Sequence, residues 1–161
     1  MITSTWVGYA LGKWHGTKEI NRKEVTHLAS TDVSTERTLK FAITYPRSNV
    51  KSVDDIGGWY RGLSENEEAY VWLYIYDGKI YWPYKIRNIQ RVEKQWRVED
   101  ISFERLHERS SQDTYDMQVF LATKESISEL RSCEEMDIGL QRLPDNIDHL
   151  SERITVKHVF F

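Results

Sequence analysis

The sequence predicts a mainly β fold, an antiparallel up-and-down barrel or strongly curved sheet of about seven to nine strands with one or two short C-terminal helices. Three observations point there. Apolar and polar residues alternate with period 2 in several segments, Asp77-Gly78 sits between two aromatic and β-branched runs, and the chain carries 9 Tyr and 6 Trp. With 161 residues, of which 40% are hydrophobic and 29% charged, one domain can bury about 70% of its unfolded surface without cross-links. Only Pro46, Pro83 and Pro144 punctuate the chain, and no low-complexity stretch divides it, so residues 1–161 are expected to form a single domain.

In chain order, Trp6 to Trp14 is β-rich, and Gly8 and Gly12 suit a strand that bends. Val25, His27 and Ala29 alternate more weakly. Leu39, Phe41, Ile43 and Tyr45, set among Lys40 and Thr44, read as a half-buried strand that stops at Pro46. Ile56-Gly57-Gly58-Trp59-Tyr60-Arg61-Gly62 reads as an aromatic-glycine turn, whose Arg61 is either placed to reach an anion or simply solvated beside the turn. Asp77-Gly78 as a two-residue type I′ loop then sets a hairpin in which Ile75 faces Ile80, Leu73 faces Trp82 and Val71 faces Tyr84. The reverse side carries Tyr70, Trp72, Tyr74, Tyr76 and Tyr81 with Lys79 and Lys85. Neither side is polar, so the second face must be covered or occupied. Pro83, which cannot donate to a ladder, places its strand at an edge or a break.

Residues 89–106 fit a helical stripe or a strand bulged near Glu99-Asp100, and the strand reading is favoured. Tyr115, Met117, Val119 and Leu121 alternate as a strand. Ser126-Ile-Ser-Glu129 has the form of a capping box, which starts a short helix with Ile127 and Leu130 inward and Cys133 as a small buried residue. Pro144 precedes a helical turn carrying Ile147 and Leu150. Ile154, Val156, His158 and Phe160 then alternate as a last strand.

Composition excludes several classes of function. A net charge of -3 does not match a general nucleic-acid binder. No apolar run approaches the ~18 residues of a spanning helix. One cysteine makes neither an internal disulfide nor a thiolate metal cage, and with no secretory pattern at the start a reducing, cytoplasmic setting is expected. Catalytic and cofactor patterns fail on inspection. Gly8-Tyr-Ala-Leu-Gly12-Lys13 is one residue short of a phosphate loop and has Trp14 where Ser or Thr must hold the metal. His15-Gly-Thr17 lacks a second His-x-Thr, and Asp77-Gly-Lys79 is explained by its turn. Glu104-x-x-His107 places two metal-ligand types on one helical face, but di-iron bundles need a second copy. Asp145, Asp148 and His149 lack the glycine and terminal glutamate of a calcium loop. Neither a cofactor nor a metal site is expected.

Charge is distributed unevenly. Residues 101–161 hold 7 basic and 12 acidic side chains, a net of -5, whereas residues 1–100 carry +2. Within the front part, Lys79, Lys85, Arg87, Arg91, Lys94 and Arg97 interleave with Tyr81, Trp82, Tyr84 and Trp96 against the single acid Glu93. Aromatic rings beside cations stack a planar group while the cation meets its phosphate. The leading expectation is therefore a non-enzymatic binding module for a compact, nucleotide-like anionic or aromatic ligand or a protein partner. Its candidate site residues are Tyr70, Trp72, Tyr74, Tyr81, Trp82, Lys85, Arg87 and Arg61. Packing of the C-terminal helix over the aromatic face, or filling of a barrel interior by the rings, is the competing explanation of the same pattern. One alternative is an intracellular inhibitor, an immunity or phage counter-defence protein, whose acidic back half, with Glu134, Glu135 and Asp137 beside Asp145 and Asp148, meets a basic protein partner. Another is a hydrolase with a dispersed site.

Gly12-Lys-Trp14 resembles the Gly-x-Trp of lipocalin-type up-and-down barrels. Trp6-Val-Gly8-Tyr9 is similar to the Trp-x-Gly-Tyr of small β-barrel receptor domains in bacterial antiphage defence. The second resemblance implies a cyclic-dinucleotide receptor barrel, although the two membrane helices that precede that barrel in the family are not in this sequence.

Overall fold

In the computed structural model, which describes residues 38–160, the alternating segments form ten strands and two helices. They are β1 (Lys40–Tyr45), β2 (Asn49–Val50), β3 (Val53–Arg61), β4 (Val71–Tyr76), β5 (Tyr81–Lys85), β6 (Asn88–Gln90), β7 (Gln95–Ser102), α1 (Phe103–Ser110), β8 (Thr114–Leu121), α2 (Ile127–Met136), β9 (Asp148–His149) and β10 (Ile154–His158). The chain divides into Met1–Arg37 and Thr38–Phe161. The strands expected at Trp6 to Trp14 and at Val25 to Ala29, with the glycine loop and His15, lie outside the described residues.

The mainly β reading holds, but the described strands do not close into a barrel. They form two sheets, β1-β3-β7-β6 and β2-β10-β8-β4-β5, with β9 added to β8. All pairs are antiparallel except β2 with β10. Phe41, Ile56, Tyr60, Trp96 and Ile101 of the first sheet meet Leu73, Ile75, Trp82, Tyr115, Met117, Val119 and Val156 of the second in one core, which α1 completes with Phe103 and Leu106. The two sheets are thus joined through side chains packed between them rather than through a continuous ladder. Pro83 does lie on the edge strand β5, where its missing N–H costs no ladder bond.

The far face of the second sheet is covered by α2 and the segment that follows it. Trp72, Tyr74, Phe120 and Ala122 pack there against Leu130, with Ile127, Leu140, Leu143 and Ile147 at the margin. Helix α2 starts where the sequence predicts and turns Ile127 and Leu130 inward. Its start works differently, however, because Ser126 has helical dihedrals and its Oγ accepts the Thr123 N–H at 3.1 Å instead of capping. Cys133 is half-buried rather than buried. After Pro144 the chain makes a turn at Asp145–Asn146, with Asn146 at positive φ, rather than a helical turn; Ile147 packs beside the Trp72–Tyr74 cluster and Asp148–His149 pairs with β8.

The hairpin keeps its predicted faces but not its predicted register. Ile75 faces Trp82 and Leu73 faces Tyr84, a shift of two residues, because the central turn pair is Gly78-Lys79 rather than Asp77-Gly78. Asp77 belongs to the strand side. Its buried carboxylate accepts the N–H groups of Lys79 at 2.9 Å and Ile80 at 2.8 Å and the Trp82 indole N–H at 2.9 Å. Gly78, with φ +92, takes the positive-φ turn position, and a two-residue shift leaves side-chain parity unchanged.

Two other segments differ from expectation. The strand favoured for 89–106 is present as β6 and β7, with the bulge at Glu99-Asp100 opposite Asp55, yet it ends at Ser102, whose Oγ caps α1 by accepting the Arg105 N–H. Gly57-Gly58 is not a turn but the middle of β3. A Cβ on Gly58 would meet Ala42 O at 1.7 Å, so only glycine lets β1 and β3 approach this closely.

Gly58→Ala is accordingly expected to destabilise by about 1–3 kcal/mol or more, since backbone rather than a flexible side chain must move. Gly78→Val, at a site with open space but positive φ, should cost about 1–3 kcal/mol through backbone strain alone. Chemical denaturation measures both. An unchanged midpoint for Gly58→Ala would refute the β1–β3 pairing.

Candidate functional site

The structure separates the residues that the sequence grouped as a site. Trp72 and Tyr74 are 0% and 1% exposed beneath α2, and the Tyr74 hydroxyl donates to Gln118 Oε1 at 2.7 Å. Trp82 lies on the opposite, inter-sheet side with Arg109 above its ring at 5.3 Å. Tyr81 is half-buried, stacked on Tyr76 at 4.3 Å and paired through its backbone with Leu140. Tyr70, also half-buried, ends a short 3-10 turn. In this arrangement Trp72 and Tyr74 have no surface to offer a ligand.

The hairpin cations serve the chain itself. Lys85 Nζ donates to Glu68 O and Val71 O and sits 5.6 Å from the Trp72 ring centre. Burial, with help from Arg87 and Arg131, lowers its pKa to about 8. Arg87 makes a two-pronged contact with Glu134, whose Oε1 also accepts the Lys85 backbone N–H at 2.8 Å. Asp137 is likewise engaged, by Arg105 and Arg109. The acidic segment therefore ties α2 to β5 and α1, and Glu135 is the exposed member of that trio.

One predicted residue, Arg61, belongs to a different surface, the outward face of the first sheet. Residues two apart on a strand share a face and lie about 6.6 Å apart. Lys40 and Arg61 are directly opposite on β1 and β3, the next rung holds Ala42, Trp59, Gln95 and Gln90, and the rung after that holds Gly57, Arg97 and Asn88. Trp59 is 41% exposed. Beside it lies a cavity of about 220 Å³ lined by Thr44, Tyr45, Gly57, Gly58, Trp59, Gln90, Gln95, Trp96 and Arg97. The side-chain-free Gly57 and a β1 irregularity at Thr44, between Ile43 and Tyr45, help to shape it. Arg97 Nη1 approaches Asp55 and Glu99 at 3.8 and 3.9 Å. The Tyr45 hydroxyl donates to Asp54 at 2.8 Å, and that hydrogen bond pushes its pKa up.

This face combines a ring for stacking, side-chain amides for hydrogen bonding and three cations. Lys40 and Arg61, as like charges directly opposite one another, disfavour the pairing unless an anion lies between them. Sequence reading did not single out Trp59, although Gly57, Trp59 and Arg61 already alternate; the Gly-Gly pair masked the strand by looking like a turn. A second hollow of about 450 Å³, bordered by Glu125, Glu129, Arg142 and Asp145, has no aromatic lining. Among the described residues, no three His, Cys, Asp or Glu side chains are positioned to hold a metal ion, and no helix is long and apolar enough to cross a membrane.

Replacing Glu134, Glu135 and Asp137 together by their amides is expected to lower stability by about 1–3 kcal/mol, because Arg87 and the Lys85 N–H lose partly buried partners. A melting temperature equal to the parent's would show that these contacts carry no load. Stability is also expected to rise between about pH 8 and pH 10, where unfolded Lys85 still binds a proton that the folded chain has released. Further up the scale it should fall, because burial raises the pKa of Tyr115 to about 12 and that of Tyr84 as well. Lys85→Met should flatten the rise, and an unaltered pH profile in that variant would assign it to another group. Compared with known proteins, the chain matches no protein-family model, no curated protein and no solved structure.

Proposed function

We propose that the chain is a binding module that takes a compact, planar-ring anion, a nucleotide in the simplest case, on the outward face of the first sheet. The observation that carries this reading is the half-exposed Trp59, flanked along the strand by the Lys40–Arg61 pair on one side and Arg97 on the other. A ring stacked on an indole gains roughly 1–3 kcal/mol. A phosphate one rung away reaches the Lys40–Arg61 pair, and the amides of Gln90 and Gln95 supply donors and acceptors for a base edge. The hollow of about 220 Å³ is below the ~300–1,000 Å³ of pockets for drug-sized ligands, which favours one ring system over an extended molecule. The aromatic and basic residues of β4 and β5 then contribute indirectly, as the packed sheet on which the first sheet rests.

Thermal stabilisation across a panel of mononucleotides and cyclic dinucleotides at millimolar concentration tests this. A ligand in the panel is expected to raise the melting temperature, with a shift that weakens as salt is added. Trp59→Ala should abolish the shift and Arg61→Ala reduce it, while both variants melt near the parent temperature without ligand. No shift with any compound, or a shift that survives Trp59→Ala, would overturn the proposal.

A further inference from the structure

Helix α1 sets Glu104 and His107 three residues apart, on one helical face. The end of β10 brings a second imidazole alongside, with the ring centres of His107 and His158 5.9 Å apart. His158 is 1% exposed, and neither of its ring nitrogens has a hydrogen-bond partner. Buried polar atoms in native proteins are nearly always satisfied, so two orphan nitrogens on one side chain call for an explanation.

His107 is prepared in the complementary way. Its Nδ1 lies 3.0 Å from Asp113 Oδ1 and 2.8 Å from Gln112 O. Both are acceptors, so Nδ1 carries the proton and Nε2 presents a lone pair. A carboxylate behind the far nitrogen is the arrangement that orients metal-ligating histidines. Burial and the neighbouring His107 hold the pKa of His158 below the usual imidazole range, and the carboxylates of Asp113 and Glu104 act on it in the opposite sense. The Phe160 ring lies 4.7 Å from His107 and 4.4 Å from His158, a partly exposed aromatic cover beside the pair.

We propose that His107 Nε2, a ring nitrogen of His158 and the carboxylate of Glu104 bind one borderline divalent cation of the zinc class, with Asp113 as the positioning residue for His107. Zinc–nitrogen bonds of about 2.0–2.1 Å place two imidazole centres on one ion roughly 5–6 Å apart, so the two histidines are already near the required spacing. The third ligand is not in place as the chain stands. Glu104 is exposed on the helix turn before His107 and near enough for its carboxylate to act electrostatically on His158, so binding requires its side chain to rotate toward the pair. Imidazole and carboxylate donors together suit zinc, iron(II) or nickel(II) over calcium or magnesium.

The test titrates zinc ion, and cobalt(II) as a spectroscopic stand-in, into the full chain after chelator treatment. Zinc is expected to raise the melting temperature reversibly with chelator, and cobalt(II) to develop visible absorption bands. His107→Ala and Glu104→Gln, both at residues outside the core, should each weaken zinc binding at least tenfold. Asp113→Asn should weaken it 10- to 100-fold, as loss of a second-layer partner does. His158→Phe keeps an apolar ring in the buried position and should remove binding. If that variant does not fold, the His107 and Glu104 variants carry the test. An unchanged melting temperature and cobalt spectrum at millimolar metal would overturn the proposal. So would zinc affinity that persists in His107→Ala or in Glu104→Gln.

Discussion

The constraint on which the rest of the structure depends is that β4 has no polar face. Val71, Trp72, Leu73, Tyr74 and Ile75 are all buried, so both sides of the strand must be covered at once. The first sheet covers Leu73 and Ile75, and α2 with the segment through Ile147 covers Trp72 and Tyr74. Fully burying a large apolar side chain is worth about 1.5–3 kcal/mol, and five in succession make this strand the axis of the fold. Glu134 belongs to the same arrangement. By holding Arg87 and the Lys85 N–H it fixes α2 against the edge strand β5.

That two-sided burial was legible in the sequence, because the run from Val71 to Tyr76 and its partner from Tyr81 to Lys85 leave no polar side. What covers the second face was not, since a helix and a ligand both satisfy the same pattern. The register is a related case. Asp-Gly is compatible with Asp77 inside the two-residue loop or just before it, and here the Asp77 carboxylate sits before the loop and accepts the Lys79 and Ile80 N–H groups and the Trp82 indole N–H across the hairpin. Strands β1, β8 and β10 and the start of α2 followed from local alternation and spacing, in which neighbouring residues hold most of the information.

The outward face of the first sheet was harder to read for a physical reason. Glycines disfavour strands locally, and Gly57-Gly58 is explained only by partners distant in sequence, Ala42 on one side and Trp96 on the other. Once those pairings are known, Lys40, Arg61, Trp59 and Arg97 fall on one surface, and of these only Arg61 was among the candidate site residues, Arg97 having been grouped with the hairpin cations. The pair His107 and His158 is similar, because 51 positions separate them in the chain and only the β8–β10 pairing and α1 bring them together. Local patterning specified the elements, whereas the surfaces with chemical potential arise from contacts between them.

Among the described residues, Trp72, Trp82 and Trp96 are core, whereas Trp59 is an open platform. Hydroxyl-radical footprinting read by mass spectrometry measures this directly, residue by residue, on the native chain. Trp59 should be modified rapidly, while Trp72, Trp82 and Trp96 should remain protected until the chain unfolds. Modification of Trp72 at the rate of Trp59 under native conditions would contradict the account, because it would place the β4–β5 aromatic face in solvent.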